Sequence, residues 1–391
     1  MLPDRIEDIE AQHIQDLIVN SVVESRSIEF KSQLPGSSDG ERKDFLGDVS
    51  AFANASGGYI FYGIVEANGY AQSIKGVSCS DLDQEIRRID EMLTSGVSPR
   101  IRHACRFVGT GTGQVLVIQI SRSWNPPHMV IFRRHNKFYI RNSAGNSYMD
   151  VEQLRESFIS GPRLNDKVEE FRMNRIAHIS TGKSVVELTE GSKIILHLLP
   201  FEAFGTYLQY DVSRFGTGSG FQNFQPMQTS RTGARRTLDG NLAYTSYNGK
   251  IESYVHVYKN GIIEAVDCST LSRLLNNAGP GQLPSTSVEK AVFSRMHGYL
   301  QLIKDFGIKG PLALGLTITS TANTVLTINQ SFYFEEKHSH RSDNLIIPTT
   351  VISDLDQPAD AILRPVFDML WNAYGYEQST NFDSHGIWNP N

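Results

Sequence analysis

The chain has 391 residues but only three cysteines, Cys79, Cys105 and Cys268, and no two of them form a C-x-x-C pair. A zinc ribbon is therefore not expected, and a reduced, cytoplasmic setting is. No run of eighteen apolar residues occurs, which argues against a membrane span. The opening Met1-Leu2-Pro3-Asp4-Arg5-Ile6-Glu7 is too polar for a secretory signal. No H-x-x-x-H pair occurs, which removes one common zinc arrangement. The run Gly109-Thr110-Gly111-Thr112-Gly113 lacks the Walker lysine and lies between two strand-like runs. It reads as a hairpin loop rather than a phosphate cradle.

One further absence is local. Between Ser98 and Tyr148 there is no Asp or Glu, although the whole chain carries a net charge of -5. The same window holds Arg100, Arg102, Arg106, Arg122, Arg133, Arg134, Lys137 and Arg141, interleaved with Phe107, Trp124, Phe132, Phe138 and Tyr139. An arginine-rich, acid-free stretch is the footprint of a surface that holds phosphates. The alternative is that several of these arginines pair with acids elsewhere in the fold. His103, His128 and His135 fall in this window and are candidates for acid–base work or for plain structural roles. Cys105 reads as strand packing.

Acids are prominent earlier, in Glu24-Ser25-Arg26-Ser27-Ile28-Glu29-Phe30-Lys31. On a strand, Ile28 and Phe30 face away from Glu29. Glu24 cannot share a face with Glu29 by periodicity, since five residues on a helix give roughly 140° of separation. The two converge only if the polar link Ser25-Arg26-Ser27 bends. Further on, Ser50-Ala51-Phe52-Ala53-Asn54-Ala55 ends a helix, Gly57-Gly58 supplies the stop, and an apolar strand runs into Glu66 before the turn Asn68-Gly69.

These pieces, E-x-x-x-x-E-F-K, S-A-F-A-N, G-G-Y-hydrophobic-G and a following acid, resemble the Schlafen family and its bacterial relatives with a Schlafen AlbA_2 domain. The resemblance covers roughly residues 15 to 160. It implies a mixed-sheet, α+β or α/β fold. In the family's nucleases three acids bind a divalent metal and cut structured RNA. By that resemblance Glu24, Glu29 and Glu66 are the expected ligands of Mg²⁺ or Mn²⁺; Lys31 is a candidate for holding the scissile phosphate or tuning the acids, the alternative being a strand-end surface lysine. The family's Asp-Asp is Val65-Glu66 here, so the third acid is one methylene longer.

Taken in order, the spacing predicts a helix over 8–21, a strand from Ser27 to Leu34 and a helix from Glu41 to Ala55. Strands over Tyr59–Val65 and Tyr70–Lys75 follow, then a helix over Asp81–Ser95. Strands near Ile101–Val108, Val115–Ser121 and Lys137–Asn142 come next. A helix from Val151 to Ser160 is expected to stop at Gly161-Pro162, which marks a domain boundary: 1–162, then an α+β domain over 163–391. That second domain opens on a connecting helix, carries a Gly/Ser/Thr and basic loop across Phe215–Phe221 and Ser230–Arg236, and ends in a helix from Asp360 to Tyr374.

Two functions fit. One is a metal-dependent endoribonuclease acting on tRNA-like RNA, as bacterial relatives in defence or stress would be. The other is a nucleic-acid-binding or nucleotide-responsive module without chemistry. RNA is the expected partner under the first, DNA remains open, and a homo-oligomer is compatible with either.

Overall fold

The computed structural model describes residues 2–3, 6–142, 145–204, 209–216, 222–271, 281–308, 310–328 and 338–390. The chain divides into two compact units, Met1–Arg163 and Leu164–Asn391. Both mix helices with sheets, an α+β organisation.

In the first unit, helix α1 (Ala11–Val19) precedes strand β1 (Ile28–Lys31), helix α2 (Asp39–Asn54) and strand β2 (Gly58–Tyr62). A hairpin β3 (Ile64–Ala67) and β4 (Tyr70–Ile74) leads to helix α3 (Leu82–Gly96). Then come β5 (Val97–Ser98), β6 (His103–Thr110), β7 (Gly113–Ile120), β8 (Met129–Val130), β9 (Lys137–Asn142) and β10 (Gly145–Tyr148). One sheet runs β1-β2-β7-β6, with β1 and β2 parallel; a second runs β10-β9-β8-β5.

Strand alternation sets the layers. Phe30, Phe61, Val115 and Val117 pack with Ile14 and Leu17 of α1, while Ile60, Tyr62, Leu116 and Ile118 pack with Phe45, Val49 and Phe52 of α2 and Ile89 and Leu93 of α3. Glu29, between Ile28 and Phe30, therefore faces the α2 side. Ser38 caps α2 in a box with Glu41, and Asp81 caps α3.

Two expectations change. The strand expected over Tyr59–Val65 is broken at Gly63, whose φ is +100° and whose missing Cβ would sit 3.0 Å from the Gly76 backbone. Only glycine meets both demands, so Glu66 lies on a separate two-stranded hairpin. The stop at Gly161-Pro162 is also absent: α4 runs from Val151 to Ser180, and the division between units falls inside it. Gly161 serves packing, since a Cβ there would come 3.2 Å from Asn125 Oδ1.

The second unit is built on strands β11 (Ile194–Pro200), β12 (Gly233–Arg236), β13 (Gly240–Tyr247), β14 (Lys250–Tyr258), β15 (Ile263–Asp267), β16 (Gly281–Pro284), β17 (Leu312–Thr319), β18 (Thr324–Thr327), β19 (Asn344–Ile346) and β20 (Thr350–Ile352). The main sheet is β12-β13-β14-β15-β11-β17-β19, with β20 also on β17. Helices α5 (Ser285–Asp305) and α6 (Ala359–Asn372) cover one face, packing on Leu196, Val255, Ala265 and Leu316. Ile179 of α4 packs on the other with Ile195, Tyr254 and Val266. Of the expected Gly/Ser/Thr loop, residues 217–221 lie outside the described residues; Arg235 and Arg236 fall on β12.

Candidate functional site

The link after Glu24 bends. Ser25 N–H donates to Ile28 O at 3.0 Å, and Phe30 N–H donates to Glu24 Oε1 at 2.9 Å. Glu24 is thereby folded back onto β1 beside Glu29. Burial pushes the Glu24 carboxyl up, the Phe30 N–H draws it down, and the charges of Glu29 and Glu66 push it up again.

Glu29 is buried and both its oxygens are engaged. Lys31 Nζ lies 2.5 Å from Oε1, and Arg141 of β9 donates to Oε2. Arg141 also donates to Ser25 O at 2.9 Å and Ile28 O at 3.3 Å, and its guanidinium lies 4.3 Å from the centroid of the Phe52 ring. It is thus the strut that fixes the Glu24–Glu29 bend. Arg141 was expected on a phosphate-binding surface; it is 7% exposed and turned inward. The reason is Glu29, which a buried arginine can neutralise with bonds in a fixed fork.

A third acid was not singled out from sequence. Asp48 of α2 lies 3.5 Å from Lys31 Nζ and accepts a hydrogen bond from Asn146 of β10. Burial, then the charge of Glu29, pushes its carboxyl up to about 7, against the pull of Lys31 and Arg141. On Lys31 burial opposes the charge, but Asp48 and Glu29 outweigh it and hold the ammonium above its ordinary range. The available signal was a lone acid inside Phe45-Leu46-Gly47-Asp48-Val49-Ser50-Ala51-Phe52, whose other members are all buried.

Glu66 is exposed and accepts the Gly69 N–H at 2.7 Å, closing the hairpin turn. Glu24 N–H donates to Gly69 O at 2.7 Å. Glu66 thus reaches Glu24 through the turn rather than from a strand beside β1. Among the described residues, the sole set of three ligand atoms within 4.8 Å of one another is Asp90, His103 and Cys105. A hard cation at Glu24, Glu29 and Glu66 would have to displace Lys31 and Arg141 from Glu29; as arranged, these carboxylates do not present a vacant oxygen cage.

Asn54, from the S-A-F-A-N segment, ties α2 to the second sheet. Its amide donates to His128 O at 3.0 Å and Tyr139 O at 2.9 Å and accepts His128 N–H at 2.7 Å. His128 is structural: its ring nitrogens meet Pro99 O and Ser123 Oγ at 2.7 and 2.6 Å, and burial lowers its pKa.

The remaining basic residues separate by role. Arg106 donates to the carbonyls of Ile6 and Glu7 and anchors the N-terminal turn. Arg100, Arg102, Arg122, Arg133, Arg134 and Lys137 are exposed. Arg133 and Arg134 both have positive φ, 45° and 63°, an uncommon conformation that holds two arginines outward in succession. Arg133 pairs with Asp39. Beside them Lys137 lies over Tyr148 at 5.5 Å, and Tyr139 and Tyr148 are 5.0 Å apart, with His135 Nε2 2.7 Å from Tyr139 Oη. Arg122 lies over Trp124 at 5.1 Å.

No helix among the described residues is long and apolar enough to cross a membrane. No curated protein matches the chain. The solved structures similar over part of it include the following two. One is the DIP2311 protein from Corynebacterium diphtheriae, at 14% identity and a TM-score of 0.27, covering 37% of this chain and 27% of that one. The other is the N-terminal domain of a Nitrosomonas europaea protein described as related to the ATP-dependent DNA helicase RecG. It has 21% identity and a TM-score of 0.25, covering 37% of this chain and 89% of that one. The chain thus spans about a quarter of the length of the first. Residues 24–150 match the family Schlafen, AlbA_2, and through them the chain carries a Schlafen AlbA_2 domain.

Proposed function

We propose that the AlbA_2 unit binds the sugar-phosphate backbone of structured RNA, with Glu29 serving as the internal counter-ion of the fold. The observation that carries this reading is the outward pair Arg133–Arg134 with Lys137 and Tyr148, inside a window free of acids. Cations beside an exposed aromatic face fit phosphates and unstacked bases together. The charges of Glu29 and Asp48 are met by Lys31 and Arg141, so the acids do not repel phosphate as a bare cluster would.

The test is binding of a fluorescent RNA hairpin and a DNA duplex to the full chain across salt concentrations. Affinity should fall with salt, and Arg134→Glu with Lys137→Glu should weaken binding and flatten the slope by about one unit for each phosphate no longer neutralised. Salt-insensitive binding, or binding indifferent to both charge reversals, refutes it. The charges of Glu29 and Glu66, which push the Glu24 carboxyl up, support the second reading, a metal-dependent endoribonuclease. Mn²⁺-stimulated cleavage of the hairpin, or of tRNA, that is lost in Glu29→Gln would establish that reading in place of a purely binding role.

A further inference from the structure

The set Asp90, His103 and Cys105 lies apart from the Glu29 network. His103 and Cys105 are two residues apart on β6 and so share a face of the sheet, the one that α3 covers. Asp90 comes from α3. One ligand atom from each lies within 4.8 Å of the other two. Cys105 and His103 are half-buried and Asp90 is exposed. The site is therefore closed on the sheet side and open to solvent at the carboxylate.

The histidine is the informative member. Its Nδ1 lies 3.2 Å from Ile101 O, and its Nε2 lies 2.7 Å from Asp90 Oδ1. Both neighbours are acceptors. A neutral imidazole has one N–H, so it satisfies one of them and turns a lone pair on the other. A metal ion placed between Nε2 and the carboxylate would take up that lone pair. With Nδ1–H given to Ile101 O, Nε2 is the free ligand atom, the usual outer-shell arrangement for a metal-bound histidine. A metal ion there would hold the Cys105 sulfur as thiolate.

We propose that Asp90, His103 and Cys105 form a binding site for a borderline-soft divalent metal ion, Zn²⁺ in kind, with solvent as the fourth ligand. Sulfur, imidazole nitrogen and one carboxylate oxygen suit such an ion and disfavour Mg²⁺ or Ca²⁺. Tetrahedral ligands about 2.0–2.3 Å from zinc stand about 3.3–3.7 Å from each other. Asp90 Oδ1 and His103 Nε2 at 2.7 Å therefore need to part slightly, which an exposed Asp90 side chain on the helix surface allows. On binding, the Cys105 S–H bond is exchanged for an S–metal bond and its proton goes to solvent, with any proton held between His103 and Asp90 released too. The ion would join α3 to β6 on the core face.

Cobalt is the probe. Untagged full-length protein is stripped with chelator and titrated with Co²⁺ under reducing conditions. One equivalent should bind with thiolate-to-cobalt charge-transfer absorption and intense tetrahedral d–d bands, and Zn²⁺ should displace it. Cys105→Ser should abolish the charge-transfer band, while Cys79→Ser and Cys268→Ser keep it. Asp90→Asn, an exposed change that spares folding, should weaken binding at least about 10-fold, the lower end of what altering even an outer-shell partner costs. A titration without charge-transfer absorption, or one unchanged in Cys105→Ser or in Asp90→Asn, overturns the proposal and leaves His103–Asp90 a hydrogen-bonded pair.

Discussion

Asp48→Asn tests the electrostatics of the buried network most directly. The Asp48 carboxyl is raised from 3.8 to about 7, first by burial and then by Glu29. Its folded value lies above its unfolded one, so the folded protein keeps a proton that the unfolded chain has given up. The stabilising share of this residue is whole below pH 3.8 and is lost as pH rises through about 7. Between pH 5 and 7, with the folded group half ionised at the upper end, this amounts to about 2.3 kcal/mol, or about 50-fold in an opening equilibrium. Asparagine is neutral throughout and of similar shape, so the substitution should remove this slope. Hydrogen exchange of α2 (Asp39–Asn54), compared between wild type and Asp48→Asn at each pH, cancels the intrinsic exchange chemistry. The protection ratio of variant to wild type should climb by up to about 50-fold between pH 5 and 7. A ratio that is flat with pH, or that falls, would show that Lys31 and Arg141 already hold Asp48 ionised and that the reasoning is wrong.

Two further perturbations separate buried from exposed charge. Arg141→Ala removes one partner of a buried ion pair and should cost about 3–5 kcal/mol, while exposed Arg134→Ala should stay within about 0.5 kcal/mol; denaturant melts of both variants decide it. In the second unit, Glu289 accepts from Trp371 Nε1, Trp388 Nε1, Ser379 Oγ and Asn381 Nδ2 at 2.7–2.9 Å. Glu289→Ala strands those donors at about 1–3 kcal/mol each, so residues 376–390 should lose exchange protection first, and equal protection would refute the latch.

Local chemistry was legible wherever neighbours in the chain decide the outcome. The alternation around Glu29 put Ile28 and Phe30 on the opposite face, and Gly109-Thr110-Gly111-Thr112-Gly113 reads and folds as the link between β6 and β7. The bend at Ser25-Arg26-Ser27 follows from the same logic, because two acids five residues apart meet only around a turn. The break at Gly63 was not legible, since it depends on the Gly76 backbone packed against that glycine, and neither was the run of α4 through the expected stop.

Charge was the least legible property. Composition counted Arg141 and Arg134 alike, as cations in an acid-free window. Tertiary structure separated them, burying one against a glutamate 112 residues away and leaving the other in solvent. Asp48 joined the network and Glu66 stayed at its rim for the same reason. A carboxylate's role is set by which cations and dipoles surround it after folding, and those come from strands and helices far apart in sequence. What the sequence by itself determined was the order of elements in the first unit and the face of β1 that Glu29 occupies; only the packing of α2, β1 and β9 decided which acids hold partners and which cations remain free for a ligand.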